Sequence, residues 1–174
     1  IGTGDVGSHF ARLCKTIGME TIGIRRNPSV EAKGVDHIVG FESLDDVLQY
    51  ADVVAMSVPS TPATHHLLNA ERIAKLKTDA IVINAGRGDA VDPDALADAL
   101  REGRIRGAAL DVTEPEPLPA DSPLWKEPRC LITPHVAGGN HLAITEQRII
   151  AIALGNVRCY ANGQSLDNRV PLKG

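Results

Sequence analysis

Ile1-Gly2-Thr3-Gly4-Asp5-Val6-Gly7 opens the chain, and this stretch decides the fold. It has the spacing G-x-G-x-x-G, and the apolar residues of 8–18 that follow have helical spacing. Residues 19–24 then form a β-like run, as a βαβ unit requires. Such glycines, between a strand and a helix, let the backbone turn tightly and approach a pyrophosphate at the helix N-terminus. We therefore predict a dinucleotide-binding loop; the alternative is an ordinary turn that caps a helix.

Composition excludes several classes of protein. The chain has 174 residues, of which 43% are apolar and 23% charged, as in globular domains. A net charge of −4, with both signs interspersed, gives no indication of a nucleic-acid partner. The sequence contains neither an apolar run of membrane-spanning length nor a signal-peptide pattern. Three scattered cysteines form no metal or disulfide spacing, so we expect a cytoplasmic protein without a metal site.

Strands alternate with helices along the whole chain, which predicts an α/β fold with a doubly wound parallel sheet of the Rossmann type. Residues 1–160 are expected to form the dinucleotide-binding domain and 161–174 a tail that returns towards another domain. Because the chain opens on Ile1, without the strand that should lead into the glycine loop, we expect a fragment with a truncated first strand. The predicted strands lie within 19–24, 35–39, 52–58, 80–84, 105–110 and 131–139, and the predicted helices within 8–18, 43–50, 70–76, 93–101 and 141–160.

Three helix starts carry a capping residue. Ser43 is followed three residues later by an acid, Asn69 precedes a helical run, and Asp92 precedes a proline at the first helical position. We expect the side chains of Ser43, Asn69 and Asp92 to cap the helices that they precede.

The second strand ends in Arg25 and Arg26. In NAD-specific sites an acid at this point binds the ribose 2′-hydroxyl. An arginine pair cannot accept from a hydroxyl, but it can hold a 2′-phosphate by charge-assisted hydrogen bonds. The pair therefore predicts NADP(H); the alternative is two solvated surface arginines.

Loops at three successive strand ends present Arg87, Glu116 and His135. In a parallel sheet these ends share one edge with the glycine loop, so the three residues can converge beside a cofactor. A guanidinium can hold a carboxylate, and a histidine can exchange the hydroxyl proton as hydride moves to or from a nicotinamide. A carboxylate against that histidine would orient it and favour its protonated form. The alternative is that these side chains are merely exposed in loops.

Adjacent histidines follow the proline-rich loop after the third strand. Because His65 and His66 are neighbours in sequence, we expect them to point in different directions and to have a surface role rather than a catalytic or metal-binding one.

Five runs of the sequence resemble the nucleotide-binding domain of the D-isomer-specific 2-hydroxyacid dehydrogenases, which include phosphoglycerate, D-lactate and hydroxypyruvate/glyoxylate enzymes. The runs are GTGDVG (2–7), VPSTPAT (58–64), VINAGRG (82–88), ALDVTEPEP (109–117) and TPHVAG (133–138). Their order and spacing cover essentially the whole chain.

The resemblance implies a role for each matching residue. Arg87 would bind the substrate carboxylate, His135 would be the acid/base, Glu116 its partner, and Asp111 the acid that contacts the nicotinamide amide. The implied cofactor-binding residues are Gly2, Gly4, Asp5, Val6, Gly7, Arg25, Arg26, Val58, Pro59, Thr64, Ala85, Gly86, Asp111, His135 and Gly138.

Two departures bear on function. Arg25 replaces the family's usual acid, as in NADP-using members. Thr113 stands where an aromatic is common, which changes nothing central to the predicted function. The family's substrate domain, built mostly from residues before the glycine loop, is absent from the sequence. That domain shapes most of the pocket, so the sequence does not indicate which 2-hydroxy acid is used.

The resemblance implies an NADPH-preferring reductase of small 2-keto acids such as hydroxypyruvate or glyoxylate. Two alternatives remain open: a cofactor-sensing scaffold like the family's transcriptional corepressors, and an NAD-dependent formate or phosphite dehydrogenase, against which Arg25 counts. Relatives dimerise through this domain, so we expect a homodimer in which 115–129 and the helix from His141 are candidate contacts.

Overall fold

The computed structural model describes residues 1–139 and 142–169 and divides the chain into two compact units, Ile1–Ala137 and Gly138–Gly174. The first unit contains all the described strands and four α-helices, and the second contains the fifth helix. The strands are β1 (Ile22–Ile24), β2 (His37–Val39), β3 (Val53–Met56), β4 (Ile81–Asn84), β5 (Gly107–Leu110) and β6 (Cys130–Ile132). The helices are α1 (Asp5–Thr16), α2 (Leu44–Leu48), α3 (Ala70–Ile73), α4 (Pro93–Arg101) and α5 (Ala143–Ala161).

All strand pairs in the described residues are parallel, which confirms the predicted α/β architecture. One sheet has the order β3-β4-β5-β6, and β1 pairs with β2 separately. In the four-stranded sheet Met56 is in register with Asn84, Asn84 with Leu110, and Leu110 with Ile132. These four residues end their strands, so the loops that follow all leave from one edge of the sheet.

The first two residues of the chain lie between β1 and β3. The backbone N–H of Gly2 donates to the Ile24 carbonyl at 2.8 Å, and the Ile1 carbonyl accepts from Ser57 N–H at 2.9 Å. A cavity of about 580 Å³ lies beside them, lined by residues of both strands.

A single hydrophobic cluster forms the core of the first unit. Burial alternates along β3, β4 and β5, because successive side chains of a strand point to opposite faces. The fully buried Val82 packs in the same cluster as Leu96 and Leu100 of α4 and Leu48 of α2. Each such leucine stabilises the fold by roughly 1.5–3 kcal/mol relative to its exposed state. This core packs against the four-stranded sheet and so fixes the ends of the strands from which the loops emerge.

Two of the three predicted caps are confirmed. The Asp92 carboxylate accepts from the backbone N–H of Asp94 and Ala95, and the Asn69 side chain accepts from Arg72 N–H at 3.1 Å, although α3 is shorter than predicted. The prediction for Ser43 is wrong, because its side chain makes no capping bond. Ser43 belongs instead to a 3-10 turn, Phe41–Ser43, that runs directly into α2.

The second unit is dominated by α5, which confirms the predicted long helix; its expected start at His141 lies outside the described residues. Ile144, Ile149, Ile152 and Val157 of this helix are exposed. Among the described residues there is no helix with the combination of length and apolar character needed to cross a membrane.

Candidate active site

The three glycines of the first loop have different surroundings. A Cβ added at Gly2, whose φ is +87°, would lie 2.8 Å from the Ser57 carbonyl oxygen, and one added at Gly7 would lie 1.9 Å from the Gly2 oxygen. A Cβ at Gly4 would meet nothing within 4 Å. The first and third glycines therefore allow the tight turn and the close packing of α1, while the second leaves its backbone open. A dinucleotide loop needs this combination, since the pyrophosphate approaches the second glycine.

The N-terminus of α1 is available to an anion. Gly4 is the N-cap of this 12-residue helix and provides no side-chain capping bond. Asp5 and Val6 in its first turn are exposed, Val6 to 64%. The first N–H groups of a helix lack partners within the helix and carry partial positive charge, so these residues fit a phosphate group.

Arg25 and Arg26 follow β1 directly. The Arg25 guanidinium is fixed by Nη1, which donates to the carbonyls of Val30 at 2.8 Å and Glu31 at 3.3 Å. Its Nε and Nη2 make no hydrogen bond to any residue that the structure describes, and Arg26 is exposed. The Arg25 guanidinium is therefore fixed in place through Nη1, and its Nε and Nη2 groups are available as hydrogen-bond donors at the end of β1.

The loop after β3 is stabilised by Thr64, which is 7% exposed. Its hydroxyl donates to the Pro59 carbonyl at 2.6 Å and accepts from Thr61 N–H at 2.9 Å. Val58 at the start of the loop is buried. The predicted contact residues Val58, Pro59 and Thr64 thus belong to one loop with several internal hydrogen bonds, at the edge of the sheet where the strands end.

The loop after β4 carries Arg87. The Asn84 side chain, which is 1% exposed, stabilises this loop from the core side. The Asn84 amide donates to the Arg87 carbonyl at 2.8 Å and accepts from Gly86 N–H at 3.0 Å. The exposed Arg87 side chain donates to the Gly86 carbonyl at 2.7 Å. Gly88 packs against the next loop, because a Cβ there would lie 1.9 Å from the Thr113 oxygen.

Asp111, directly after β5, organises the loop that contains His135. Its carboxylate accepts from the Thr133 hydroxyl at 2.5 Å and from the backbone N–H groups of Val136 and Ala137 at 2.9 Å each. Burial tends to raise the pKa of Asp111, but these three hydrogen bonds together with the nearby His135 outweigh it and lower the pKa below its usual value. A carboxylate can accept about four hydrogen bonds, so these three leave about one acceptor position on Asp111.

His135 and Glu116 form a direct pair at this edge. The Nδ1 atom of His135 lies 2.6 Å from Oε1 of Glu116, and both side chains are partly exposed. The backbone N–H of His135 donates to the Asp111 carbonyl at 2.9 Å, and its φ of 53° turns the chain sharply there. The structure thus brings these two predicted residues together, with Arg87 on the adjacent loop. Gly138, at the start of the second unit, has an open backbone.

The expectation that His65 and His66 point in different directions is wrong. Their rings stack with centroids 4.1 Å apart, and the Nε2 atom of His66 lies 2.7 Å from Oε2 of Glu114. His66 has a φ of 44°, and its N–H donates to the Asp89 carbonyl at 2.7 Å. This left-handed conformation, rare for a residue with a side chain, places the two neighbouring rings on the same side.

From the sequence, no role was predicted for Asn84 or Thr133 and only a surface role for His66. A polar residue at the end of the apolar run of β4 was the available signal for Asn84, because buried amides in such places usually satisfy backbone groups. Thr133 stands two residues before His135 and gave no separate signal. For His66 the deciding feature is a backbone conformation that residue type does not reveal.

Comparison with known proteins indicates the family of this chain. The family model described as "D-isomer specific 2-hydroxyacid dehydrogenase, NAD binding domain" matches residues 1–137. Glyoxylate/hydroxypyruvate reductase B of Escherichia fergusonii is 48% identical over 120 residues, covering 66% of this chain and 37% of that protein. The chain spans about half the length of curated relatives that it matches almost throughout, 55% and 50% of two of them.

Solved structures of similar proteins contain either cofactor. A D-isomer specific 2-hydroxyacid dehydrogenase from Xanthobacter autotrophicus Py2, in complex with NADPH and MES, is 38% identical with a TM-score of 0.85, over 98% of this chain and 68% of that one. D-lactate dehydrogenase from Lactobacillus jensenii, with NAD⁺, is 28% identical with a TM-score of 0.84, over 98% of this chain and 54% of that one.

Proposed function

The chain belongs to the D-isomer-specific 2-hydroxyacid dehydrogenase family, and on that premise we propose that the whole protein reduces a small 2-keto acid with NADPH. The observation that carries the proposal is the 2.6 Å contact between His135 Nδ1 and Glu116 Oε1, in a loop that Asp111 holds at the ligand-binding edge. Hydroxypyruvate and glyoxylate are the proposed substrates, as the name of the Escherichia fergusonii relative suggests.

The residues of the first unit fit a dinucleotide. Gly4 leaves its backbone open, and α1 starts there without a side-chain cap, so the pyrophosphate is proposed to bind at this helix N-terminus. Val58, Pro59, Thr64, Ala85, Gly86 and Asp111 are the further proposed contact residues of this unit. NADPH, when bound by these residues, would supply the hydride for reduction of the keto carbon.

Arg87 is proposed to orient the substrate. Its exposed guanidinium can form two parallel hydrogen bonds with the substrate carboxylate, and its positive charge polarises the neighbouring keto group. Asn84 supports this role, because it bonds the Arg87 carbonyl and the Gly86 N–H from within the core. A rigid loop reduces the entropy cost of orienting the substrate.

His135 is proposed to protonate the keto oxygen. With Nδ1 against Glu116, the remaining ring nitrogen Nε2 is the one that can deliver a proton to the substrate. The Glu116 carboxylate is proposed to fix the orientation of the ring. In the reverse reaction the same nitrogen accepts the proton of the hydroxyl group.

NADPH is the proposed cofactor because Arg25 stands where NAD-specific sites have an acid. The guanidinium is positioned by two backbone carbonyls through Nη1, which leaves donors for a 2′-phosphate. The Xanthobacter autotrophicus Py2 structure supports this choice as a relative with NADPH bound.

We also propose a homodimer. The exposed isoleucines of α5 give the second unit an apolar surface that a second copy could cover. Sedimentation of the whole protein as a dimer is the expected result, and a monomer would overturn this point.

Initial rates of hydroxypyruvate and glyoxylate reduction by the whole protein, with NADPH and NADH compared, test the proposed function. Turnover that favours NADPH is expected. Turnover that favours NADH would retain the reductase and remove the role of Arg25. Cofactor binding without turnover of any 2-keto acid in a broader panel would contradict the enzyme and favour a cofactor-sensing scaffold.

A further inference from the structure

The loops after β3 and β5 meet at three side chains to which the proposed reaction gives no role: His65, His66 and Glu114. The Nε2 atoms of His65 and His66 lie 3.5 Å and 2.7 Å from the two carboxylate oxygens of Glu114. One ligand atom from each residue can be chosen so that all of them lie within 4.8 Å of one another. Two imidazoles, stacked with their centroids 4.1 Å apart, and a carboxylate therefore lie close together.

This donor set is typical of a metal site. Imidazole nitrogen and carboxylate oxygen bind Zn²⁺ at about 2.0–2.2 Å, so two ligands of a tetrahedral ion are separated by about 3.4 Å. The His65–Glu114 separation of 3.5 Å already matches this value. To admit the ion, the His66–Glu114 hydrogen bond of 2.7 Å would open by less than about 1 Å, and the exposed His65 ring would turn out of its stack on His66 so that both ring nitrogens face the ion.

The surroundings of His66 also fit a ligand. Its second ring nitrogen, Nδ1, lies 3.9 Å from Oδ2 of Asp92. Histidines that bind a metal through one nitrogen commonly direct the other towards a carboxylate, which orients the ring and makes it a better donor. Asp92 itself is fixed, since it caps α4.

The three side chains are accessible to an ion from solvent, and the His66 backbone is fixed. The His65 side chain is 53% exposed, while those of His66 and Glu114 are about one-third exposed, so an ion can enter from solvent and keep a water ligand. The His66 backbone is fixed by its bond to the Asp89 carbonyl, and its φ of 44° is an unfavourable conformation of the kind that clusters at functional sites.

We propose that His65, His66 and Glu114 bind a divalent metal ion of intermediate softness, with Zn²⁺ the best match, which joins the loop after β3 to the loop after β5. Nitrogen and oxygen ligands of this kind select zinc and its neighbours in the first transition row over Mg²⁺ and Ca²⁺. The proposed site shares no residue with the His135–Glu116 pair, which offers only one imidazole.

Zinc binding to the purified whole protein tests the proposal. After treatment with a chelator, Zn²⁺ is titrated calorimetrically in a buffer that does not bind metals, and Co²⁺ is added in parallel to record the visible spectrum of its coordination. One ion per chain is expected. Both His65→Ala and Glu114→Gln should weaken the affinity about tenfold or more, because each removes one of three protein ligands.

Two control variants separate this site from other histidines. His135→Ala removes the imidazole of the proposed catalytic pair, and His37→Ala removes one that lies 3.1 Å from Glu20 on the surface. Both should bind Zn²⁺ like the wild type. Because His65 is exposed, His65→Ala should fold normally, which circular dichroism checks.

Absence of saturable zinc binding would overturn the proposal. Binding that is unaffected by His65→Ala in a correctly folded variant would do the same, as would loss of binding in His135→Ala. None of these results bears on the proposed reductase activity, which is measured independently with a 2-keto acid and NADPH.

Discussion

The Asp111 carboxylate accepts a hydrogen bond from the backbone N–H of Val136 at 2.9 Å, so the end of β5 fixes the loop that carries His135. Asp111→Asn removes the charge and replaces one acceptor by a donor. We expect the free energy of unfolding to fall by about 1–3 kcal/mol, because buried donors of the loop lose their partner. Urea denaturation of the two proteins measures the difference.

The pH dependence of that difference follows from the lowered pKa of Asp111 in the folded state. The unfolded carboxyl has a pKa of about 3.9, so the stabilisation is complete above that value and is lost as pH falls through the lower, folded pKa. Wild type and Asp111→Asn should therefore differ most near neutral pH and converge in acid below pH about 4. Asp121→Asn, at an exposed carboxylate, is the matched control and should have little effect. A constant difference down to the acid limit would contradict this account.

The two glycines Gly4 and Gly7 should respond differently to alanine. Gly7→Ala places a Cβ 1.9 Å from the Gly2 oxygen, so this variant should be strongly destabilised or insoluble. Gly4→Ala meets no protein atom within 4 Å and should keep a melting temperature close to that of the wild type, while cofactor affinity drops about tenfold or more. Thermal melting and fluorescence titration with NADPH provide the two readouts. Normal cofactor binding by Gly4→Ala would argue against the pyrophosphate site.

Arg25 should decide the choice between the two cofactors. Arg25→Asp removes the cation and restores an acceptor for the ribose hydroxyl, so the ratio of kcat/KM for NADPH to that for NADH should fall about tenfold to a hundredfold. Arg26→Asp is the control for charge alone, since Arg26 is exposed and should shift the ratio less. An unchanged ratio in Arg25→Asp would rule out the phosphate contact.

Replacement of Arg87 even by lysine should lower the catalytic efficiency. Arg87→Lys keeps the charge but loses the planar pair of donors that matches a carboxylate, so kcat/KM for glyoxylate should drop about tenfold or more. The control Arg101→Lys makes the same substitution at the exposed end of α4, where Arg101 pairs with Asp98. This variant should behave as wild type. If both variants retained full efficiency, Arg87 would not be the carboxylate ligand.

Local patterns made much of the fold predictable. Asp92 before a proline predicted the start of α4, and the apolar runs predicted the parallel strands, because capping and burial act over a few residues. The contact between Glu116 and His135 followed from the rule that parallel strands end at one edge, together with the family resemblance.

Other features depend on backbone conformation and could not be read in the same way. Ser43 had the pattern of a cap but is the last residue of a 3-10 turn, Phe41–Ser43, that continues into α2. The stacking of His65 on His66 depends on a positive φ, which residue type does not predict for histidine. The hydrogen bonds from Asn84 to the Arg87 loop could not be predicted, because the sequence does not show which loop atoms lie next to the buried Asn84 side chain.

The most direct test of the central claim is the rate of glyoxylate reduction with NADPH by the whole protein and by His135→Ala, with the Kd for NADPH measured on both. The account predicts a fall in kcat of about 10²–10⁴-fold with Kd nearly unchanged, because the variant loses a proton donor and no pyrophosphate contact. Retention of the wild-type rate by His135→Ala, or an equal loss of rate and cofactor affinity, would contradict it.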